Sequence, residues 1–581
     1  MDEGGVGPEA PRRRVQDVAG RAGGVARVLP ILAWLPRYRR ESLRPDLVAG
    51  LAVAALVVPK SLGYAGIAGV PIQHGLYAAA AGAILYALFG TARQIATGPS
   101  SALAAVAGSA VVLASVSGDD AVELVAAICL VTGLLFLVLA IFKMGWISLL
   151  LSKAVITGFL FGAAIEVVVG ELPKITGTSA EGANVWREFG DWVSGLGDVD
   201  GATLAVGLVS LAAVVGIRFS RLKVPGALVL VIGGLIASVA LGFEEEGIAL
   251  VGEVPRGLAT PSLPSPSFIV ENFAAIGPAA IGLLLIGFSQ TAGDARAFAA
   301  RHRYRIDIDQ ESVAQGMSNI GSGVLQGIPV STSLSASSLN DESGAKTQLA
   351  SLTTGILIVL TLLVFAPVFS DLPQPVLAAL IIDAVVFGMM DVGEMRRLRR
   401  VARTDFWIAI AAILGVLAAG VLAGVLIGVA LSLVWLVFIN ATPEMPVLGR
   451  RPGTETFRSL AEDPDCETYP GLLVIRFDAG LFFASADALE DRLRELAQDT
   501  DRLETIVVSF AGVDFIDSQG SEKIAKIHQL TTTYGIELHL ARVKPAVRGV
   551  LAADGVIDEL GEGHLHGSVF EACAAYVPGP D

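Results

Sequence analysis

The sequence is poor in charged residues and in cysteine for its length. Of its 581 residues only 17% are Asp, Glu, Lys or Arg, whereas 53% are hydrophobic, and the mean hydropathy is +0.65. This composition excludes an ordinary soluble protein. The three cysteines, Cys129, Cys466 and Cys573, are too widely spaced for a metal cluster or a disulfide framework, so reduced thiols are expected.

Several functional motifs are also absent. The sequence contains no Gly-x-Ser-x-Gly elbow, no His-Glu-x-x-His and no phosphate-binding loop, so we expect neither an enzyme nor a cofactor or metal site. The formal net charge of −15 argues against nucleic acid as a partner. What the sequence does contain is a long series of apolar runs.

These apolar runs predict fourteen membrane spans between residues 47 and 439. In the first half they lie near 47–66, 76–91, 95–114, 121–142, 146–170, 202–218 and 225–242. In the second half they lie near 277–295, 309–325, 329–340, 347–369, 375–390, 404–420 and 421–439. Several are too short to cross a bilayer as ideal helices.

The charges between the spans support this count. If the arginine-rich amino terminus is cytoplasmic, basic clusters such as Arg296 to Arg305 and Arg396 to Arg403 fall inside, and the acidic Glu244 to Glu246 falls outside. Seven spans in each half imply two inverted repeats. The first 45 residues contain no cleavable signal, so both termini of a multi-pass plasma-membrane protein are expected in the cytoplasm.

Two short serine-rich motifs, Gly98–Ser101 and Gly327–Ser333, interrupt the membrane half. Pro99 and Pro329 lie equally far from the starts of the first and eighth spans, as an internal repeat requires. A proline suits the first turn of a helix, so each motif predicts a helix that begins inside the membrane and directs N–H groups, dipole and hydroxyls at one point. That arrangement would hold an anion. The alternative is that the prolines only kink continuous helices.

After residue 466 the pattern changes to alternating strands and helices. Strands are predicted at 472–477, 505–510 and 537–541, and helices at 485–497 and 518–534, with two short helices after them. This pattern is typical of a small α/β domain. Asp517 or Ser518 is placed to cap the helix that follows them.

Several spaced motifs resemble the SulP (sulfate permease-type) anion transporters, which end in a STAS domain. The resemblance runs from about Ser42 to Tyr576 and implies a UraA-like fold, with a core domain of spans one to four and eight to eleven, a gate domain, elevator-type alternating access and usually a homodimer. The motifs are Asp46–Leu51, Val58–Ala65, Gly75–Tyr77, Gly90–Arg93, Gly98–Pro99, Asp309–Glu311, Asn319, Ser333–Ser335, Asn340, Gly344–Thr347 and Asp517–Ser518.

The sequence departs from the family pattern at three positions. Lys60 stands where the family usually has glutamine, Gln290 where it usually has glutamate, and Ala336 where many members have arginine; Asp294 lies one helical turn beyond Gln290. A charge at membrane depth costs about 2.5–3.5 kcal/mol, so pairing or protonation is expected. We hypothesise that Lys60 attracts the anion, and that Asp294, with Gln290 beside it, handles the coupled H+ or Na+.

Structural alternatives stay open for both charges and for their neighbours. Asp294 could simply pair near Arg296 at the inner end of its span, and Lys60 could snorkel or form a structural ion pair. Tyr64, one turn beyond Lys60, could line the pocket or merely pack. Glu166 and Asp383 are further candidates for proton handling, with interhelical hydrogen bonding as the alternative.

The predicted protein is a secondary active transporter of small oxyanions, sulfate or bicarbonate, coupled to H+. Alternatives are Na+-coupled bicarbonate or H+-coupled dicarboxylate symport, and an uncoupled channel or exchanger. Predicted domains are a cytoplasmic segment 1–42, a membrane domain 43–440, a linker 441–465 and a STAS domain 466–577. By analogy with bacterial regulators of that fold, Ser518 is a candidate regulatory site. Predicted anion ligands are Lys60, Tyr64, Ser100, Ser101, Ser331, Thr332 and Ser333.

Overall fold

A computed structural model describes residues 28–144, 152–180, 185–220, 226–499 and 502–577. Most of the predicted amino-terminal segment 1–42, the start of the fifth predicted span at 146, and the basic residues 221–223 lie outside the described residues. The chain divides into two compact units, Met1–Ser432 and Leu433–Asp581.

The first half of the membrane unit follows the predicted spans, except that the third span is a strand followed by a helix. Its elements are α1 (Ile31–Trp34), α2 (Leu43–Ile67), α3 (Gln73–Phe89), β1 (Thr97–Pro99), α4 (Ser101–Ala114), α5 (Asp119–Ile141), α6 (Lys153–Thr176), α7 (Val185–Ser194), α8 (Gly201–Phe219) and α9 (Gly226–Leu241).

The second half repeats this arrangement, and its tenth predicted span is again a strand followed by a helix. Its elements are α10 (Pro266–Glu271), α11 (Phe273–His302), α12 (Ile308–Val324), β2 (Val330–Thr332), α13 (Leu334–Glu342), α14 (Leu349–Val364), α15 (Gln374–Met389), α16 (Val392–Val401) and α17 (Arg403–Ala441). Among the described residues, eight helices are long and apolar enough to cross a membrane.

Two glycines allow close packing and a sharp break in these helices. A Cβ atom at Gly50 in α2 would lie 2.6 Å from the carbonyl oxygen of Ala350 in α14, so the backbones of the two helices approach closely there. Gly420 has φ 85° and ψ 167° and divides α17 at the boundary predicted between the last two spans. Glycine adopts positive φ without the steric cost that a side chain would impose.

The second unit is an α/β domain built on a four-stranded parallel sheet of order β5–β6–β7–β8. Apolar residues of alternating register lie in two clusters, as expected for a sheet covered on both faces. Its elements are β3 (Leu448–Arg450), β4 (Phe457–Ser459), β5 (Leu472–Arg476), α18 (Ala486–Asp499), β6 (Thr505–Ser509), α19 (Ser518–Thr533), β7 (Glu537–Ala541), α20 (Pro545–Ala553), α21 (Val556–Leu560), β8 (Leu565–His566) and α22 (Val569–Ala572).

In this unit one segment differs from the expectation, and one of the two predicted helix caps is observed. The segment 441–465, expected to be a linker, contains the antiparallel pair β3–β4, and Leu448 packs in the apolar cluster of the sheet. Ser518 does not cap α19. Asp517 does, because its Oδ1 accepts from the Gly520 N–H at 2.8 Å, and this leaves Ser518 exposed in the first turn.

The cysteines of the described residues are unpaired and buried. In the α/β unit, burial raises the pKa of the Cys573 thiol to about 12. Since the thiolate is the reactive form, Cys573 is a packing residue rather than a nucleophile.

Candidate functional site

The two serine-rich motifs meet as a short antiparallel ladder inside the membrane unit. Strands β1 and β2 pair with Thr97 opposite Thr332, and Pro99 opposite Val330. The interpretation that the prolines begin helices is therefore wrong: Pro99 lies in a strand, and helix α4 begins only at Ser101. The chain does leave the helical conformation at both motifs, so a proline kink in a continuous helix is also excluded.

Polar side chains of the second half form hydrogen bonds with the irregular backbone that leads into β1. Non-helical backbone at membrane depth must find its hydrogen-bond partners within the protein. Here the donors are side chains from four elements or turns of the other repeat. They are Gln310 to the Phe89 carbonyl (2.8 Å), Asn340 to Gln94 (3.0 Å), Ser351 to Ile95 (3.1 Å) and Gln348 to Ala92.

Two buried carboxylates also accept from backbone N–H groups. Glu311 accepts from the N–H groups of Thr91 and Ala92 at 2.8 and 3.0 Å and from the Tyr86 hydroxyl at 2.5 Å. Asp46 accepts from the Lys346 N–H at 2.6 Å. Both carboxylates belong to motifs quoted for the family resemblance; Glu311 holds the backbone that leads into β1, and Asp46 holds the turn before α14.

Asn319 braces the second strand in the same way. Its side-chain amide donates to the Val330 carbonyl at 2.9 Å and accepts from the Val330 N–H at 3.1 Å, as a neighbouring strand would. It also donates to the Gln315 carbonyl at 3.0 Å. The sequence singled out Asn319 only as a motif residue and gave no sign of this role.

A small cavity lies beside the ladder. It is enclosed by residues of α2, by β1 and by the start of α13, so both repeats contribute to it. Its polar lining consists of Lys60, Ser61, Tyr64, Thr97, Ser333, Ser351 and Thr354, together with Gly98 and Pro99.

Lys60 is the cationic residue of this cavity. Its Nζ donates to the Ser335 hydroxyl at 3.4 Å, and none of the salt bridges among the described residues includes it. The charges of Arg218 and Asp383 act on it, and these two residues form their own bidentate pair at 2.9 and 2.5 Å. The structure therefore provides no structural ion pair for Lys60, whereas Asp383 forms the interhelical contact expected as its alternative.

Asp294 and Gln290 are not among the cavity-lining residues in the described part of the chain and instead bond to side chains of β2. The Thr332 hydroxyl donates to Asp294 Oδ2 at 3.0 Å, and the Ser331 hydroxyl donates to Gln290 Oε1 at 2.9 Å. Within the described residues Asp294 has no salt bridge, so the alternative of a simple pair near Arg296 does not hold there. Glu166, the other candidate, has a buried oxygen without a hydrogen-bond partner among the described residues.

The remaining predicted ligands divide into two groups. Tyr64 lines the cavity, and its hydroxyl lies beside the side chain of Ser101. Ser100, Ser101, Ser331 and Thr332 are not among the lining residues in the described part of the chain, although Ser100 and Ser101 stand at the start of α4 next to Pro99. Their contact with an anion stays a prediction.

A multi-span helical unit whose two broken segments meet at a lysine-containing cavity defines a membrane transporter for anions. The chain belongs to the sulfate permease family: the family's model matches residues 43–412, and a model of the STAS domain matches residues 463–572. The predicted fold class, a helical membrane domain of inverted repeats followed by an α/β STAS domain, is confirmed. The family consists of transporters and not of enzymes.

Relatives and solved structures agree with this assignment. A probable sulfate transporter of Mycobacterium tuberculosis is 33% identical over 543 residues, which cover 93% of this chain and 96% of the relative. The murine Solute Carrier 26 family member A9 anion transporter, solved in its inward-facing state, matches with a TM-score of 0.87 at 21% identity and 99% coverage of both chains. The transmembrane domain of the cyanobacterial bicarbonate transporter BicA matches with a TM-score of 0.58 at 21% identity, covering 68% of this chain and 98% of that chain.

Proposed function

We propose that the protein is a secondary active transporter that moves a small inorganic oxyanion, sulfate or bicarbonate, together with H+. The observation that carries this proposal is the cavity at the β1–β2 ladder. Lys60 places a positive charge in this cavity, near the starts of α4 and α13. The anion would lie between the amino-terminal ends of α4 and α13. Helix N-termini with hydroxyl groups favour anions in general, so they do not distinguish sulfate from bicarbonate.

The residues around Lys60 suit an anion better than a cation. Lys60 donates to a neutral hydroxyl and forms no salt bridge with a carboxylate among the described residues, so its charge is not neutralised by an ion pair there. Free N–H groups at the start of α4 add partial positive charge, because Ser100 forms no side-chain cap there. Sulfate is supported by the relative from M. tuberculosis and bicarbonate by the BicA similarity, as substrates of those proteins.

Asp294 is the proposed coupling group. It is not among the lining residues in the described part of the chain, and the Thr332 hydroxyl of β2 donates to it directly. A change in the protonation of Asp294 would therefore act on the strand whose neighbour, Ser333, lines the cavity. Through this connection, protonation of Asp294 would influence the binding of the anion in the cavity.

Sodium is the second candidate coupling ion, and a specific feature favours it. Two hydrogen-bonded pairs of oxygen atoms lie where α11 meets β2, Ser331 with Gln290 and Thr332 with Asp294. Carboxylate, amide and hydroxyl oxygens are ligands that hard cations prefer. The test of coupling must therefore vary the Na+ and H+ gradients separately.

Transport is proposed to proceed by an elevator-type movement in a homodimer in the plasma membrane, with both termini in the cytoplasm. The core would carry Lys60 and the two helix starts past a gate that includes the Arg218–Asp383 pair. Because that pair is close enough to act electrostatically on Lys60, such a movement would change the potential around the anion.

The test is uptake by the full-length protein in liposomes. Labelled sulfate, bicarbonate and fumarate are offered with an inward H+ gradient, with an inward Na+ gradient, and with neither. The proposal expects accumulation of one inorganic oxyanion above equilibrium only with the H+ gradient, abolished by a protonophore. Accumulation with Na+ alone would establish the second candidate, and fumarate uptake a dicarboxylate carrier.

Uptake that only equilibrates, whatever the gradient, would contradict coupling and favour a channel or exchanger. Lys60→Met serves as the site control, because it removes the positive charge from the cavity at similar length. Lys143→Met is the matched charge change at an exposed position. A channel would also carry current under voltage, which separates it from an electroneutral exchanger.

A further inference from the structure

Three of the six histidines lie together in the α/β unit, outside everything that the transport site uses. His539 belongs to β7, His564 ends a short turn of 3-10 helix at Glu562–His564, and His566 belongs to β8. Glu537 of β7 joins them. The ligand atoms of Glu537, His539 and His564 all lie within 4.8 Å of one another.

The topology of the sheet produces this cluster. Successive side chains of a strand point to opposite faces, so Glu537 and His539 share one face of β7. In the parallel pair of β7 and β8, Ala541 stands beside His566, which places His566 on that same face. Because β8 is the edge strand, the cluster forms at the border of the sheet, where side chains can reach solvent ions.

The hydrogen bonds leave ligand atoms available. His539 Nδ1 and His566 Nε2 are 2.8 Å apart, so one of the two rings donates a proton to the other. If His539 donates, its Nε2 carries a lone pair, and this atom is 3.4 Å from Glu537 Oε2. The Nδ1 of His564 is shielded from solvent and has no hydrogen-bond partner among the described residues. An ion in the cluster would give a partner to this ring nitrogen.

We propose that Glu537, His539 and His564 bind a first-row transition-metal dication of the Zn2+ class, and that His566 orients His539 from behind. Imidazole and carboxylate ligands without thiolate suit such an ion, and two His with one Glu leave a fourth position for water. A histidine ligand usually has its second ring nitrogen fixed by a hydrogen bond. For His539 the partner in this hydrogen bond is His566. Tetrahedral Zn2+ ligands stand about 3.4 Å apart, so the side chains need only rotate inward from their present separation.

The proposed ion would join two segments that are distant in the sequence. Glu537 and His539 come from β7, whereas His564 precedes the two-residue edge strand β8. The ion would therefore hold β8 and the turn before it against the rest of the sheet. Since a ligand that binds only the folded state stabilises it by mass action, added Zn2+ is expected to raise the melting temperature of this unit.

The experiment uses the full-length protein in detergent, purified with a tag that contains no histidine and stripped of metal with a chelator. Zn2+ is titrated by calorimetry, and Co2+ is titrated with visible absorption to report the geometry of the ligands. The variants are Glu537→Gln, His564→Asn and the positioning change His566→Asn. His528→Asn is the matched control, because His528 lies in α19 away from the cluster.

The proposal expects one Zn2+ per chain for the unaltered protein and for the His528 variant. His564→Asn should abolish binding, and His566→Asn should weaken it about 10- to 100-fold, the usual effect of removing a group that orients a ligand. Glu537 is exposed, so Glu537→Gln should weaken Zn2+ binding without lowering the melting temperature of the metal-free protein. Absence of binding, or equal binding by all variants, would overturn the proposal.

Discussion

The two broken segments of the membrane unit are similar in their backbone and different at their ends. Helix α4 begins after Ser100, which caps no N–H group, whereas α13 begins after Ser333, whose hydroxyl accepts from the Ala336 N–H at 3.4 Å. The first N–H groups of α4 are therefore left for another acceptor. The first segment is the more open to an anion, and the second is already engaged with groups of the protein.

The charged groups are also distributed unevenly between the segments. Lys60 of α2 lines the cavity and donates to Ser335 of α13, and Asp294 of α11 accepts from Thr332 of β2. Both charged groups therefore contact the second segment, but at different residues, Ser335 in the helix and Thr332 in the strand. This difference separates the proposed binding of the anion from the proposed binding of the coupling ion.

The largest expected loss of stability comes from removing the hydrogen bonds of Asn319 to the second segment. Asn319→Leu would leave the N–H and carbonyl of Val330 buried without partners, at a cost of about 1–3 kcal/mol for each group. Asn340→Leu removes a single bond, to the Gln94 carbonyl, and should cost about half as much. Thermal unfolding of the full-length protein compares the two variants. An equal or larger loss in the Asn340 variant would contradict the bracing described for Asn319.

The next effect concerns the charge in the cavity. Lys60→Met should raise the half-saturating anion concentration about 10- to 100-fold, because a bond to a charged group contributes about 1.5–3 kcal/mol. Lys143→Met should leave that concentration unchanged. Initial uptake rates over a range of anion concentrations measure both. An unaltered half-saturating concentration in the Lys60 variant would show that Lys60 does not bind the anion.

The smallest effect distinguishes two hydroxyls of the same strand. Thr332→Val removes a bond to a carboxylate and should reduce gradient-driven uptake about 10-fold, whereas Ser331→Ala removes a bond to the neutral Gln290 and should reduce it about threefold. Thr332→Ser, which keeps the hydroxyl, should restore uptake. Equal losses of uptake in Thr332→Val and Ser331→Ala would show that the bond to the Asp294 carboxylate matters no more than the bond to Gln290.

Hydropathy predicted the long helices of the membrane unit well, because a long apolar run specifies its own burial. The break at Gly420 was predicted from the same pattern. The ladder was not, since β1 and β2 are three residues each, and strands this short become stable only by pairing across the two repeats. For that reason Pro99 was assigned to a helix start rather than to a strand.

The polar residues were harder to interpret than the apolar ones. Family motifs identified Asp46, Glu311 and Asn319, but spacing alone could not separate residues that brace backbone from residues that contact the anion. The expectation of no metal site rested on the wide spacing of the cysteines and on the absence of a His-Glu-x-x-His motif. An alternating pattern, Glu537-x-His539 and His564-x-His566, was the signal that could have pointed to the histidine cluster.

The most direct test of the account is H+-driven uptake by the Asp294→Asn variant in liposomes, beside the unaltered protein and Asp120→Asn, an exposed carboxylate change. The account predicts that the Asp294 variant loses accumulation against the gradient but still exchanges internal for external anion, because Lys60 and the cavity are intact. The Asp120 variant should accumulate normally. Undiminished accumulation by the Asp294 variant would contradict the separation of anion and coupling sites on which the account depends.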